Sequence, residues 1–359
     1  MKRIAVGLIA FTVLAVAYPV FGCTGFAVYR GQPIYGMNFD YPETEIRLMI
    51  EEGEGTELFT MQFQQGDGFA STVGMNASGL FASSQMQFPE QTGQSSRGAD
   101  ELFFFELFNC IRSCGSVADV LDFVENKRLR QWSGVTLHNL MADAAGNAFI
   151  AEAGREQNEF SPIDGDFIVM TNFKNFDFKD KTLDQVYGAG ADRYVTACEY
   201  IDENLEGFGI DQAFETLRLT TQEGSYPTLC SMVFAPKEQS VYVVLHRDFD
   251  RIWKISIPDS TIETDRGFDT DMRFYIPQDG VMASDLIDGN IAAYEIYAGP
   301  EESDATAVET DDGTVQADTG EEAADSTGSP GWYWVAGTSI ALAVVLTIGI
   351  LIRKRRKAA

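Results

Sequence analysis

The first residues of the chain limit where a folded domain can begin. Two basic residues precede an apolar run over residues 4–17, and the small residues Val20 and Gly22 occupy the −3 and −1 positions before Cys23. This pattern is typical of an export signal that is cleaved after Gly22. We therefore predict a signal peptide over residues 1–22 and a folded chain that begins with Cys23.

A chain that begins with cysteine carries a thiol and a free α-amine on one residue. The thiol is a nucleophile once it loses its proton, and an α-amine with a pKa near 8 can accept that proton. The run from Val20 to Cys23 also resembles a lipobox, in which Cys23 would carry a lipid on its sulfur and act as an anchor, although Phe21 fits that motif poorly. On this stretch alone both interpretations stay open.

The C-terminal residues 331–353 are predicted to form a single transmembrane helix. Residues 332–352 are 21 uncharged residues, enough to cross a hydrocarbon core of about 30 Å at about 1.5 Å per residue. The basic tail over residues 354–359 predicts a cytoplasmic C-terminus and a domain outside the cell membrane. A cleaved sorting signal has a similar pattern, but Ser329-Pro330-Gly331 matches no sorting motif.

Residues 299–330 are predicted to form a disordered acidic stalk. They contain ten Asp or Glu, no Lys or Arg, and many small or polar residues, so they cannot build a core. Residues 23–298 still hold 44 acidic against 19 basic residues, within a net charge of −28 for the chain. Because this charge opposes binding to nucleic acid and to anionic lipid, we expect membrane contact only through the C-terminal helix.

Residues 23–298 are predicted to form one α+β domain. The predicted strands are 23–29, 33–40, 58–63, 70–75, 80–86, 135–142, 148–152, 167–171, 229–234, 240–246 and 252–257. The predicted helices are 100–114, 117–124 capped by Ser116, 192–204 and 210–219. The last three strands are expected to close the domain as a meander. This order is typical of two stacked sheets with helices outside them, an αββα sandwich.

Six short motifs carry a resemblance to a known family. They are Cys23-Thr24-Gly25, Gly36-Met37-Asn38-Phe39-Asp40, Gly74-Met75-Asn76 with Gly79-Leu80, Thr136-Leu137-His138 with Asp143 and Gly146, Met170-Thr171-Asn172, and Asp192-Arg193-Tyr194. Their order and spacing over roughly residues 23–257 resemble the choloylglycine hydrolase family, cysteine N-terminal-nucleophile hydrolases such as bile salt hydrolase and penicillin V acylase. Each motif alone is weak, but six in one order directly after a signal peptide are specific.

The resemblance implies a fold, an activity and a set of site residues. The fold is an αββα sandwich of N-terminal-nucleophile type, and the activity is hydrolysis of a linear C–N amide bond. Cys23 is implied as the nucleophile, Asp40 as the carboxylate that holds the α-amine, Asn172 as a donor in the oxyanion hole, and Arg193 as the arginine that orients the site.

The chemistry of these side chains agrees with the implied roles. A hairpin through residues 30–32 would bring Asp40 beside Cys23, where a carboxylate can orient the amine. An amide donor such as Asn172 typically contributes about 3 kcal/mol to stabilising an oxyanion. Arg193 offers fixed planar donors. The ordinary alternatives are a turn aspartate, a loop asparagine at a strand end and a surface arginine on its helix.

Two positions depart from the family pattern. Many members carry an arginine where this chain has Met37, and its loss leaves the stabilisation of the thiolate unexplained. The second oxyanion donor of the family is commonly an asparagine before Phe-Pro. Here the run Gln85-Met86-Gln87-Phe88-Pro89 offers Gln87, with one residue extra, so either Gln87 or a backbone N–H is expected to take that role.

The remaining cysteines and histidines give no cofactor signal. Cys110 and Cys114 are four residues apart on a predicted helix and are not expected to bond each other. Pairing with Cys198 or Cys230 and four buried thiols are both open. The two histidines, His138 and His246, lie in predicted strands, and His138 is expected to pack in a sheet, so a papain-like Cys–His pair is disfavoured. We predict neither a metal nor a cofactor.

The sequence thus predicts a membrane-anchored, outward-facing hydrolase of small-molecule N-acyl amides, acting through a thioester on Cys23. Three alternatives are a lipidated surface protein without catalysis, an acyltransferase of the same fold, and a binding protein that has lost the chemistry. The acyl and amine parts of the substrate and the oligomeric state are not predicted.

Overall fold

The structure is a computed structural model that describes residues 22–52, 55–94, 100–131 and 134–297. The predicted signal peptide apart from Gly22, the stalk, the transmembrane helix and the basic tail lie outside these residues. Within the described ranges, no helix combines the length and the apolar character needed to cross a membrane.

The described residues are mostly strands, with short helices between them. The strands are β1 (Thr24–Val28), β2 (Ile34–Asp40), β3 (Ile46–Glu52), β4 (Glu57–Gln65), β5 (Gly68–Asn76), β6 (Phe81–Met86), β7 (Asp100–Phe103), β8 (Lys127–Arg130), β9 (Leu137–Ala142), β10 (Ala148–Ala153), β11 (Asn158–Pro162), β12 (Phe167–Met170), β13 (Thr228–Ala235), β14 (Ser240–Leu245), β15 (Ile252–Ser256), β16 (Thr261–Arg266), β17 (Arg273–Tyr275) and β18 (Val281–Met282). The α-helices are α1 (Phe104–Asn109), α2 (Val117–Val124), α3 (Ala191–Glu203), α4 (Ile210–Leu219) and α5 (Ala283–Asp288). Short 3-10 helices span Cys110–Arg112, Asn175–Phe178, Leu183–Gln185, Pro236–Glu238 and Ile291–Ala293.

Two antiparallel sheets of eight strands each form the centre of the fold. The first sheet has the order β12-β1-β2-β13-β14-β15-β16-β17, and the second has the order β11-β10-β9-β6-β5-β4-β3-β18. The strands β7 and β8 form a separate parallel pair. Because β1 lies between β2 and β12, residues far apart in sequence meet around the start of β1.

Three apolar layers hold the sheets and helices together. The middle layer lies between the two sheets and contains Tyr35 and Met232 from the first sheet and Phe59 and Phe81 from the second. A second layer packs α1 and α2 on the outer face of the second sheet. A third packs α3 and α4 on the outer face of the first. The predicted αββα sandwich is therefore confirmed, and burial of these side chains is its main source of stability.

Most predicted elements are confirmed, with small shifts at their ends. The hairpin of β1 and β2, the helix at Ile210–Leu219 and the cap of α2 are as predicted, with the Ser116 hydroxyl accepting from the Asp119 N–H at 3.2 Å. The three-stranded meander is present as β13, β14 and β15.

Three predictions were wrong. Residues 100–103 form β7, because they pair in parallel with β8, and the helix predicted over residues 100–114 is confined to α1 and a 3-10 turn. The domain does not close at residue 257, since β16 and β17 extend the first sheet and β18 extends the second. His246 lies in a turn after β14 with a φ of 48°.

Candidate active site

Cys23 lies immediately before β1, at the edge of the layer between the two sheets. Its side chain belongs to the middle apolar layer, and the residue is only 8% exposed. In the register of β1 and β2, Thr24 pairs with Asn38, so the end of β2 at Asp40 lies level with Gly22 and Cys23. The hairpin therefore brings Asp40 to the cysteine, as predicted.

The Asp40 carboxylate is buried and held by three polar side chains. Thr228 donates a hydroxyl hydrogen bond to its Oδ1 at 2.5 Å, and Gln222 Nε2 donates to its Oδ2 at 2.6 Å. Arg193 Nη1 lies 3.8 Å from the same Oδ2. Burial raises the pKa of Asp40 to about 6, while the charge of Arg193 and these hydrogen bonds oppose the rise.

Gly22 precedes Cys23 in this structure, and polar side chains surround the peptide bond that joins the two residues. Gln222 Nε2 donates to the Gly22 carbonyl at 2.8 Å as well as to Asp40. A Cβ at Gly22 would overlap the Arg193 guanidinium and lie 2.8 Å from Gln222 Nε2. The bond between residues 22 and 23 thus lies among the polar groups that hold Asp40.

Arg193 connects the cysteine to Asn172. It lies on α3, is 6% exposed, and its Nη1 donates to the Cys23 carbonyl at 2.6 Å and to Thr24 Oγ1 at 2.7 Å. Its Nη2 donates to Asn172 Oδ1 at 2.7 Å. The ordinary alternative of a surface arginine is excluded by this burial.

Asn172 follows β12, the strand that pairs with β1 on the side away from β2. Its Nδ2 donates one hydrogen to the Met86 carbonyl at 2.7 Å, and its backbone carbonyl accepts from the Phe88 N–H at 2.6 Å. An amide nitrogen carries two hydrogens, so the second one remains for a further acceptor. Asn172 is fully buried, and both ends of its amide are fixed.

The glutamine that lies against the Cys23 backbone is Gln85, to which the sequence analysis assigned no role. With its amide oriented to satisfy both neighbours, Gln85 donates to the Cys23 carbonyl at 3.3 Å and accepts from the Gly25 N–H at 3.2 Å. A Cβ at Gly25 would lie 2.6 Å from this amide, which explains the glycine. Gln87 is also buried, but its Oε1 has no partner, and its backbone N–H donates to the Thr136 carbonyl at 2.8 Å.

The environment of the thiol is apolar on one side and charged on the other. Met37, where many members of the family carry arginine, is fully buried between the sheets. With Gly22 attached, burial and the charge of Asp40 raise the pKa of the Cys23 thiol to about 12, against the opposing effects of the Asp40 backbone hydrogen bond and the Arg193 charge. The thiol is therefore protonated at neutral pH, and it would act as a nucleophile only with the help of a base.

Neither histidine can act as that base. Both ring nitrogens of His138 are engaged elsewhere, by Glu152 and by the Thr171 carbonyl. The ring of His246 faces Glu43 at 3.7 Å and is half exposed. A papain-like pair is thus excluded. Among the described residues, no three His, Cys, Asp or Glu side chains converge as metal ligands.

The other four cysteines, Cys110, Cys114, Cys198 and Cys230, are free and buried. Of the two arrangements left open by the sequence, the structure has the buried thiols. A surface cavity of about 600 Å³ borders Arg30, Phe208 and Glu238 at the turn end of the β1–β2 hairpin, the end opposite Cys23. It contains none of the candidate site residues.

The fold is similar to solved structures of two enzymes. Two variants of conjugated bile acid hydrolase from Clostridium perfringens match with TM-scores of 0.54 at 16% and 15% identity, over 69% and 71% of this chain and 98% and 97% of theirs. Penicillin V acylase from Agrobacterium tumefaciens matches with a TM-score of 0.51 at 16% identity, over 67% of this chain and 90% of its own. No family model and no curated protein sequence matches the chain.

These similarities define the fold class. The described residues have an α+β fold like that of the N-terminal-nucleophile hydrolases, with two large sheets. The structural neighbours are the choloylglycine hydrolase and penicillin V acylase to which the motifs pointed, and at these identities the match concerns the fold alone.

Proposed function

We propose that the chain, once it begins at Cys23, hydrolyses linear N-acyl amides through a thioester on that residue. The observation that carries the proposal is the meeting of Cys23, Asp40 and Asn172 around the one guanidinium of Arg193. The enzymes that share the fold are named as a conjugated bile acid hydrolase and a penicillin V acylase, which supports an amide substrate.

The first half of the reaction breaks the amide bond. The α-amine of Cys23, oriented by Asp40, takes the thiol proton, and the sulfur attacks the carbonyl carbon of the substrate. The electron pair of the carbonyl moves to its oxygen, where the free hydrogen of Asn172 Nδ2 can donate. When the C–N bond breaks, the nitrogen takes the proton back from the α-ammonium and leaves as an amine.

The second half releases the acid. A water molecule gives a proton to the α-amine and attacks the thioester carbonyl, and the C–S bond then breaks with return of the proton to sulfur. The high pKa of the thiol in the chain that retains Gly22 supports this order of events, because in that chain burial and the Asp40 charge keep the sulfur protonated. Removal of residues 1–22 would therefore be required for activity.

The experiment compares wild type with Cys23→Ser over a panel of N-acyl amides, with release of the amine as the readout. Cys198→Ser is the matched control, since Cys198 is equally buried but lies on α3 in the outer layer. We expect turnover by wild type and Cys198→Ser and its loss in Cys23→Ser. Equal turnover by all three chains, or none by wild type on any amide, would refute the proposal.

We also propose that the domain works outside the cell, held by the predicted helix over residues 331–353. Its support is the sequence pattern alone. The full-length chain should sediment with membranes and resist carbonate extraction, whereas a chain that ends at residue 330 should appear in the medium. If the shortened chain stays in the cell or sediments as before, this location is wrong.

A further inference from the structure

The mechanism makes no use of one buried pair of ionisable side chains, His138 on β9 and Glu152 on β10. Both side chains are fully buried, and His138 Nδ1 lies 3.2 Å from Glu152 Oε1. A buried carboxylate is costly unless its oxygens are fully paired. The partners of this pair therefore indicate what it is for.

Those partners all belong to the segment that carries Asn172. His138 Nε2 lies 2.7 Å from the Thr171 carbonyl, which can only accept, so this nitrogen carries a hydrogen. Glu152 Oε1 accepts the Asn175 N–H at 2.8 Å, and its Oε2 accepts the Phe176 N–H at 2.7 Å. The pair thus holds the chain one residue before Asn172 and again three and four residues after it.

This contact joins the two sheets. His138 and Glu152 belong to strands of the second sheet, whereas Thr171 follows β12 at the edge of the first. A histidine that only packed within its own sheet would not form a hydrogen bond with a residue of the other sheet. Gln85, whose amide lies against the Cys23 backbone, is the cross-strand neighbour of His138.

Asn172 lies just beyond the end of its own strand. β12 stops at Met170, so its pairing with β1 does not reach residue 172, and the backbone there is held by the hydrogen bond from the Phe88 N–H to the Asn172 carbonyl and by the contacts of the His138–Glu152 pair. Small displacements matter there, since a donor aids an oxyanion only at about 2.7–3.1 Å. A segment tied at residues 171, 175 and 176 keeps the Asn172 amide at a fixed distance from the thiol.

We propose that His138 and Glu152 are positioning residues that hold Asn172 for transition-state stabilisation, an inference that rests on the function proposed above. They touch neither the thiol nor the substrate. Their loss should reduce acylation of Cys23 while leaving the reactivity of its sulfur unchanged, because alkylation by iodoacetamide needs no oxyanion donor.

The test uses the full-length chain, produced with its own N-terminal segment, in four variants. His138→Phe removes both ring nitrogens, and His138→Gln restores a donor toward the Thr171 carbonyl. Glu152→Gln leaves one oxygen for the N–H groups of Asn175 and Phe176. His246→Gln changes the other, exposed histidine and is the matched control.

We expect kcat to fall more than tenfold in His138→Phe and at least fivefold in Glu152→Gln, with KM and the iodoacetamide rate within about twofold of wild type. His138→Gln should recover most of the kcat lost in His138→Phe. Amide hydrogen exchange at Asn175 and Phe176 should accelerate in the impaired variants, while amides of β9 stay protected. His246→Gln should match wild type throughout.

Three results would overturn the inference. One is unchanged kcat in both His138→Phe and Glu152→Gln. Another is a parallel loss of turnover and alkylation in Glu152→Gln, which would indicate general loss of structure, and this variant decides if His138→Phe does not fold. The third is unchanged exchange at residues 175 and 176. Failure of the proposed function is separate, since wild type would then match Cys23→Ser.

Discussion

Arg193 Nη2 donates to Asn172 Oδ1 at 2.7 Å, and Nη1 of the same guanidinium binds the carbonyl of Cys23 at 2.6 Å. The planar fork therefore fixes the distance between the Cys23 backbone and the amide proposed to face the oxyanion. Because Oδ1 is taken by Arg193, the Asn172 amide can present only its Nδ2 as a donor.

A lysine at residue 193 would keep the positive charge and lose the planar fork, so it distinguishes the positioning role of Arg193 from its electrostatic role. Arg193→Lys retains the cation but cannot bind Asn172, Cys23 and Thr24 together, so we expect kcat to fall by about 100-fold, the loss typical of a missing oxyanion donor. Steady-state kinetics with circular dichroism would measure this. The control is Arg218→Lys on the exposed face of α4, and unchanged turnover in Arg193→Lys would contradict the role of the fork.

The raised pKa of Asp40 predicts a pH dependence of stability. A carboxyl group with a pKa near 3.8 when unfolded and about 6 when folded favours the folded state below pH 4, and this contribution disappears as pH rises through 6. In the chain that retains Gly22, where no α-amine borders the carboxylate, Asp40→Asn should remove a fall of up to about 3 kcal/mol in the free energy of unfolding between pH 4 and 7.

Urea unfolding of wild type and Asp40→Asn at several pH values checks this sign. Asp248→Asn, at an exposed aspartate, should follow wild type. The buried state of Asp40 would be refuted if the wild type and Asp40→Asn curves stayed parallel across this range.

The close approach of Gln85 to Gly25 predicts a steric coupling. Gly25→Ala would place a methyl group 2.6 Å from the Gln85 amide and should destabilise the fold by about 1–3 kcal/mol, the usual cost of overpacking. Adding Gln85→Ala should return part of that loss in thermal unfolding. Gly115→Ala, at an exposed glycine where a Cβ would meet its nearest neighbour only at 3.6 Å, should be close to neutral, and additive effects at residues 25 and 85 would show that the two do not touch.

The approach of Asp40 to Cys23 lies within one hairpin and could be predicted from local sequence signals. A turn at Arg30-Gly31-Gln32 between two apolar runs is sufficient to bring Asp40 back to Cys23. The meeting of Cys23 with Asn172 needs β1 to pair with β12, some 140 residues later, and periodicity gives no register for such a pair. Only the resemblance of the motifs predicted it.

The elements and contacts that were missed leave no clear pattern in the local sequence. The strands β3, β11 and β16 carry charged residues on their exposed sides, which masks their alternation. Asp40 is held by Thr228, the first residue of β13, and by Gln222 in the loop before that strand. Both are distant from Asp40 in sequence, and neither belongs to a motif. The role of Gln85 depends on the missing side chain of Gly25, which is visible only when the sheets are stacked.

The most direct test is the mass of the N-terminal peptide of the purified chain. It is measured before and after brief incubation with an intact N-acyl amide that the chain hydrolyses, followed by an acid quench. We predict a peptide that begins at Cys23 with a free α-amine and that gains the mass of the acyl group on sulfur. A chain that begins elsewhere, a blocked amine or a diacylglycerol on Cys23 would contradict the account.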